Sequence, residues 1–215
     1  MPHPILYSFR RCPYAMRARM GLLLAKRSVM LREILLKNKP ADMLAASKKG
    51  TVPVLILNDG SVIDESLDIM QWALQQNDPA NLLCIDNPSI QSDIDALIAT
   101  CDGEFKGWLD KYKYADRHPD FPEEYYRQQG MHFLNVLEER LSTSNYLLGT
   151  APTLADYAIF PFIRQFAHVD RQWFEQSSYP KIQDWLTKHL ESDVFSKVMA
   201  KYPLWLDNHE SFLFE

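Results

Sequence analysis

Cysteine is scarce in this sequence. Cys12, Cys84 and Cys101 are the three among 215 residues. An odd number at such wide spacing supports neither a disulfide framework nor a paired zinc site. It fits a reducing, cytoplasmic setting better than an oxidising one. Long apolar runs are missing as well. No stretch approaches the roughly 18 uninterrupted apolar residues of a membrane span. The amino terminus lacks the charged region and apolar core of a secretory signal. Positive charge is in deficit: the net charge is -5, which argues against a general nucleic-acid binder. The six histidines form no HExxH pair and no compact cluster, so no metal is expected. No GxGxxG or GxxxxGK[ST] occurs, which removes the usual dinucleotide and nucleotide signatures.

What is present divides into two grammars. Up to residue 77, short apolar runs alternate with helical patterns. Strands are expected over Pro4–Ser8, Val29–Ile34, Val54–Leu57 and Ser61–Ile63. Helices are expected over Pro13–Lys26, Pro40–Ser47 and Ser66–Gln76. The alternation implies a βαβ unit with a parallel strand pair. Asn58-Asp59-Gly60 lies between the last two strands, and Asp-Gly is a hairpin signal. Residues 78–88 contain Asp78-Pro79 and Asn87-Pro88 and read as a linker. From 89 to 215 the pattern is helical, roughly 89–115, 122–142, 154–168 and 180–190, with a looser tail. Such helices pack by burying apolar stripes against one another.

Cys12 has a particular address. It follows the apolar run Ile5-Leu6-Tyr7 and the basic pair Arg10-Arg11, and it precedes Pro13. Proline is favoured as first residue of a helix, because its missing N–H is an unpaired group there. Cys12 is therefore expected at the N-cap, facing free N–H groups and the positive end of the dipole. Such a setting, with cations nearby, pulls a thiol pKa from about 8.5 toward roughly 3.5–7.5. The alternative is a small apolar residue that happens to precede a proline.

Two further positions suggest a peptide-binding surface. Pro53 stands where a strand begins, the place in a sheet that tolerates a missing donor. A cis Val52-Pro53 bond there makes a tight turn. The N–H and C=O of Val52 would then face outward, open to an extended peptide. A trans proline that merely starts a strand is the plain alternative. Asp64-Glu65-Ser66 ends the hairpin. Ser66 suits the N-cap of the next helix, whose free N–H groups also bind carboxylates. Glu65 beside it suits an ammonium, so the pair matches an amino-acid head group. The plain alternative is a helix cap alone.

These sites, in this order, resemble the cytosolic glutathione transferase superfamily, and the cysteine-type, omega-like branch most. The resemblance spans essentially the whole chain. It implies a thioredoxin-like, glutathione-binding domain over 1–77, a linker over 78–88 and an all-helical domain over 89–215. Cys12-Pro13-Tyr14-Ala15 with Arg17 is similar to the branch's active-site motif. Leu36-Lys37-Asn38-Lys39-Pro40 is similar to the segment before the second helix, which implies that Lys39 meets the glycine carboxylate of glutathione. Val52-Pro53 matches the cis-proline loop. Glu65-Ser66 matches the pair that holds the γ-glutamyl group. Thr153-Leu154-Ala155-Asp156 matches a capping box, a structural feature. Ala15 stands where a dithiol oxidoreductase carries its second cysteine, so no internal disulfide relay is expected. Tyr7 is read as a core residue, and Cys84 and Cys101 as ordinary small residues.

The resemblance implies an enzyme with glutathione as cosubstrate and no metal, acting as a homodimer. A thiol transferase or reductase that forms a Cys12–glutathione mixed disulfide is the leading expectation. It covers deglutathionylation and dehydroascorbate-type reduction. Conjugation of glutathione to electrophiles, and a protein-interaction platform without activity, remain alternatives. On the acceptor side the candidates are Tyr14, Phe105, Trp108, Tyr112, Arg164 and Trp205. Phe105, Trp108 and Tyr112 share i, i+3, i+7 spacing on one helix, which equally suits core packing.

Overall fold

A computed structural model describes residues 3–215. The chain divides into two compact units, Met1–Leu83 together with Ser192–Glu215, and Cys84–Glu191.

The first unit is built on a sheet of order β4-β3-β1-β2-β5. Its strands are β1 (Ile5–Ser8), β2 (Val29–Glu33), β3 (Val54–Ile56), β4 (Val62–Ile63) and β5 (Phe212–Phe214). β1 and β2 run parallel, with Tyr7 beside Arg32. The connection between them is helix α1 (Pro13–Leu24), the crossover that a parallel pair requires. Helices α2 (Ala41–Ala46) and α3 (Ser66–Gln76) follow in order. β3 and β4 form the expected hairpin: Leu57 N–H donates to the Ser61 carbonyl at 2.8 Å. Gly60 takes φ +86 at its tip, the left-handed region that glycine enters without steric cost. The expected βαβ-α-ββα order is therefore present.

Alternation sets the two faces of the sheet. Tyr7, Ile34 and Val54 join Ala15, Met43 and Val52 in one buried cluster, against which Phe9, Cys12 and Trp205 pack. Leu6, Leu31 and Leu55 are also fully buried. Helices α1 and α3 approach closely at Gly21, where an added Cβ would sit 2.7 Å from Met70 Cα.

The tail departs from expectation. An all-helical domain was expected to run to residue 215, yet residues 192–215 fold with the first unit. They form α10 (Asp193–Val198), α11 (Trp205–Asn208) and β5. β5 pairs antiparallel with β2, Leu31 opposite Phe212 and Val29 opposite Phe214. The physical reason is the open edge of β2, whose unpaired N–H and C=O groups need a partner strand. Phe212-Leu213-Phe214 supplies one, too short for a clear period-2 signal.

The second unit is helical. It contains α4 (Pro88–Thr100), α5 (Lys106–Lys113), α6 (Glu123–Thr143), α7 (Leu154–Ala167), α8 (Arg171–Gln176) and α9 (Pro180–Leu190). A π-helical turn, Cys101–Phe105, separates α4 from α5, where a single helix was expected over 89–115. The Thr153–Asp156 capping box is present. Asp156 also accepts from Leu147 N–H at 3.0 Å and Trp185 Nε1 at 3.0 Å. Burial pushes its carboxyl pKa up, and these donors pull against that shift. Among the described residues, no helix is long and apolar enough to cross a membrane.

Candidate active site

Cys12 occupies the N-cap of α1, with extended backbone angles and Pro13 immediately after it. Its side chain caps no N–H of the helix. The thiol is half-buried, and its sulfur lies 4.0 Å from the Val52 carbonyl oxygen. The turn that carries it is fixed from below. Cys12 N–H donates to the Phe9 carbonyl at 2.9 Å, and Arg10 N–H donates to Glu33 Oε1 at 2.7 Å. Glu33 is itself paired with Arg19, which is fully buried and also donates to Ser8 Oγ at 2.8 Å. Burial lowers the Arg19 pKa, and the Glu33 carboxylate opposes that shift. An ion pair thus anchors the loop that presents the cysteine.

The Val52–Pro53 peptide bond is cis. Its carbonyl on the Val52 side lies 4.0 Å from the Cys12 sulfur. The segment from Ser47 to Pro53 gathers most of the remaining candidates. Ser47 Oγ donates to Asp64 Oδ2 at 2.6 Å, which holds the Asp64 carboxyl below the usual range. Lys49 pairs with both Asp64, at 3.2 Å, and Glu65. The Glu65 hydrogen bond leads in raising the Lys49 pKa. At Gly50, φ +63, an added Cβ would lie 3.8 Å from Lys39 Nζ. Cys12, Lys39, Asp64 and Glu65 therefore all border one stretch of seven residues.

Ser66 needs a correction. Glu65 is the N-cap of α3, and Ser66 is its first helical residue. Its hydroxyl, almost fully buried, lies 3.5 Å from Arg17 Nη1. The extended N-cap backbone belongs to Glu65, at φ -107 and ψ 132, two residues past the end of β4 at Ile63.

The acceptor-side candidates separate. Tyr14 is half-exposed, with the Arg17 guanidinium 6.0 Å from its ring centroid. Trp205 packs on the Tyr7–Val52 cluster. In the helical unit, Phe105 and Tyr112 are each 1% exposed. Phe105 lies 5.0 Å from Phe133 and 5.6 Å from Phe166, and Tyr112 lies 5.1 Å from Phe166, ring to ring. These two are core residues. Trp108 stands off that stripe, half-buried and edge-on to Tyr125 at 6.3 Å. With Phe105 it lines a small cavity of about 150 Å³. Arg164 lies in the last turn of α7, where it helps burial to lower the His168 pKa to about 4.

The sequence matches the family model for the glutathione S-transferase N-terminal domain over residues 6–81 and that for the C-terminal domain over 90–188. The chain belongs to the glutathione S-transferase superfamily. It is 30% identical over 127 residues to glutathione S-transferase GstA of Escherichia coli O157:H7. That match spans 57% of this chain and 61% of the relative. It is 26% identical over 199 residues to glutathione S-transferase omega-1 of Rattus norvegicus, across 89% of this chain and 78% of the relative. A Pseudomonas putida glutathione transferase, solved with one glutathione disulfide per subunit, superposes with a TM-score of 0.79 at 16% identity. That likeness covers 94% of this chain and 92% of the other, and it shows the fold. Glutathione transferase membership accounts for the two-unit architecture, a thioredoxin-like sheet unit and a helical unit.

Several groups around the candidate site carried no motif. Lys49, Ser47, Glu33 and Arg19 lie outside every matched pattern. The Lys48-Lys49 pair and the charged Arg32-Glu33 inside a strand pattern were the available signals. Neither names a partner without the fold.

Proposed function

We propose that this chain is a glutathione-dependent thiol transferase with Cys12 as its nucleophile. The observation that carries the reading is the position of the sulfur, half-exposed at the start of α1 and 4.0 Å from the Val52 carbonyl. Glutathione is the cosubstrate, laid as an extended peptide along the Val52–Pro53 loop. Lys39 takes its glycine carboxylate, and Glu65 with Ser66 takes the γ-glutamyl head group. A helix N-terminus favours the thiolate, which is the attacking form.

The exchange runs in two steps. Cys12 thiolate attacks the glutathionyl sulfur of a mixed disulfide. A Cys12–glutathione bond forms, the original S–S bond breaks, and the released thiolate takes a proton from water. A second glutathione thiolate then attacks the adduct. Glutathione disulfide leaves and Cys12 thiolate returns. Dehydroascorbate-type reduction shares the second step but consumes two glutathiones, which leave as one glutathione disulfide for each acceptor reduced, against one glutathione in the exchange above. With Ala15 three residues on, no second thiol competes to resolve the adduct. Conjugation to electrophiles ranks lower, since a sulfur so placed captures glutathione rather than activating it. A homodimer in the cytoplasm completes the reading, and sedimentation over a dilution series measures the assembly.

The test is intact mass after incubation with glutathione disulfide. Wild type is expected to gain one glutathionyl unit that dithiothreitol removes, and Cys12→Ala to gain none. If neither gains mass while the wild type conjugates an electrophile, conjugation replaces this reading. If neither binds glutathione at all, the interaction-platform alternative takes its place.

A further inference from the structure

The turn that presents Cys12 has two arginines at its centre. Cys12 N–H donates to the Phe9 carbonyl at 2.9 Å, which closes a turn over residues 9–12 with Arg10 and Arg11 in the middle. Consecutive Cα atoms lie about 3.8 Å apart, so both guanidinium groups are tied to the surroundings of the half-buried sulfur. Arg11 is exposed. Its guanidinium lies over the Phe9 ring, 5.3 Å from the centroid, a cation–π contact that steadies a long side chain at the surface. Arg10 is half-buried, and its N–H donates to Glu33 Oε1 at 2.7 Å. The Glu33 charge is already met by Arg19. Among the described residues, no ion pair joins Arg10 or Arg11 to an acid. The acids near the Val52–Pro53 loop are engaged elsewhere, Asp64 with Ser47 and Lys49, and Glu65 with Lys49. The chain as a whole carries a net charge of -5, so the positive surplus at this turn is local. In the proposed function Lys39, Val52, Glu65 and Ser66 hold glutathione, and neither arginine has a role.

We propose that Arg10 and Arg11 select the acceptor, a glutathionylated peptide segment with acidic residues beside its modified cysteine. The inference rests on Cys12 being the reacting sulfur, and it names the substrate class of that site. Attack by the Cys12 thiolate forms the Cys12–glutathione bond and breaks the peptide–glutathione bond. The peptide leaves as a thiolate that takes a proton from water. While the sulfurs meet, the residues beside the peptide's cysteine pass the turn. Carboxylates there meet guanidinium groups, which bind them through paired N–H donors. Lysines there meet like charge, which costs affinity. An extended segment offers acids on both sides of its cysteine, and this suits two cations at successive positions better than a small acid does. The overall negative charge of the chain opposes an acidic partner, so a preference for one has to come from this turn.

The test is binding to Cys12→Ser, in which exchange at that position cannot begin. Fluorescence anisotropy compares two labelled peptides, each glutathionylated at its single cysteine, one flanked by aspartates and the other by asparagines. The aspartate peptide is expected to bind about three- to tenfold tighter. Arg11→Gln is expected to cut that ratio about two- to fivefold, and Arg10→Gln added to it to abolish the preference. Arg11→Lys keeps the charge and most of the ratio. Lys113→Gln removes an exposed cation from α5 and is expected to leave the ratio unchanged, which separates a local effect from net charge. A misfolded variant loses both peptides together, so the ratio still reports on the turn. Equal binding of the two peptides, binding of neither, a ratio that survives the double substitution, or an equal loss in Lys113→Gln overturns the proposal. The mixed disulfide of glutathione with mercaptosuccinate serves as competitor, with carboxylates but no peptide. If it responds to the arginine substitutions as fully as the aspartate peptide does, a small acid is the acceptor and the peptide assignment falls. A ratio that holds while the wild type gains no glutathionyl unit at Cys12 removes the thiol-exchange reading and leaves the charge preference standing. Gain of that unit without the ratio does the reverse.

Discussion

Glu65 and Lys49 form an ion pair across an open surface, with side chains 61% and 45% exposed. Exposed pairs contribute little to stability, about 0–1 kcal/mol. A carboxylate bound to a ligand ammonium does more, because hydrogen bonds to charged groups are worth roughly 1.5–3 kcal/mol. Glu65→Gln is therefore expected to leave the unfolding midpoint nearly unchanged while glutathione affinity falls by about tenfold or more. Parallel urea melts and equilibrium dialysis check this; a large loss of stability with intact affinity would make Glu65 structural. A second residue argues through pH. His189 is 5% exposed, with Trp185 4.8 Å and Phe160 5.1 Å away, ring to ring. Burial first, and Lys188 second, lower its pKa from 6.5 to about 4. The unfolded chain thus takes up this proton before the folded one does. Stability is complete above the unfolded value and is lost as pH falls from about 6.5 toward 4, by up to about 3 kcal/mol. His189→Leu should flatten the stability profile in that window; equal slopes in both proteins would refute the assignment. At this scale Cys12 and Val52–Pro53 were legible because proline constrains its neighbours locally. Ser66 was misplaced by one position, since Glu65, outside the usual cap residues, holds the N-cap backbone of α3.

Helix contacts carry a different kind of constraint. At Gly21 in α1, an added Cβ would meet Met70 Cα at 2.7 Å, and backbone cannot step aside as a side-chain tip can. Gly107 in α5 has nothing within 4 Å of the same added atom. Gly21→Ala is expected to cost about 1–3 kcal/mol by overpacking. Gly107→Ala is expected to add about 0.5–1 kcal/mol, since alanine loses less chain freedom in a helix. Opposite shifts in chemical denaturation are the prediction; a shared sign would mean that helix propensity, not the α1–α3 approach, governs Gly21. Element types up to residue 77 were readable from period and punctuation, so β1 to β4 and α1 to α3 fell within a few residues of expectation, while α8 and the elements of the tail had no expected counterpart. The π-helical turn at Cys101–Phe105 was not readable. A turn with one added residue has no period of its own, and apolar spacing runs through it unbroken. The buried stripe runs through Phe105, Leu109 and Tyr112, spaced i, i+4, i+7, which leaves Trp108 beside the core rather than in it.

The whole chain has one arrangement that linear reading could not reach: its last residues complete the sheet of its first unit. A βαβ pattern announces its own crossover, because the helix lies between the strands. An edge strand drawn from about 180 residues away leaves no such mark, and a three-residue apolar run has many possible partners. Its weight in the fold follows from Phe214. That side chain is 2% exposed, while Leu213 next to it is 47% exposed. The Arg19 guanidinium, whose Nη1 also donates to the Val198 carbonyl of α10 at 3.0 Å, lies 5.8 Å from the Phe214 ring centroid. Arg19 pairs with Glu33, and Glu33 accepts from the backbone of the loop that carries Cys12. Loss of Phe214 should therefore reach the loop that carries Cys12 as well as the sheet edge. Truncating a buried phenylalanine costs about 3–5 kcal/mol, so Phe214→Ala should lower the melting temperature by roughly 10 °C. Leu213→Ala, on the exposed face of the same strand, should change it by no more than about 2 °C. Hydrogen exchange locates the effect: amides of β1, β2 and the Phe9–Cys12 turn should lose protection in Phe214→Ala, and those of α6 and α7 should keep theirs. If protection falls first in α6 and α7, or if Leu213→Ala is the more damaging change, the tail is not an integral strand of the first unit.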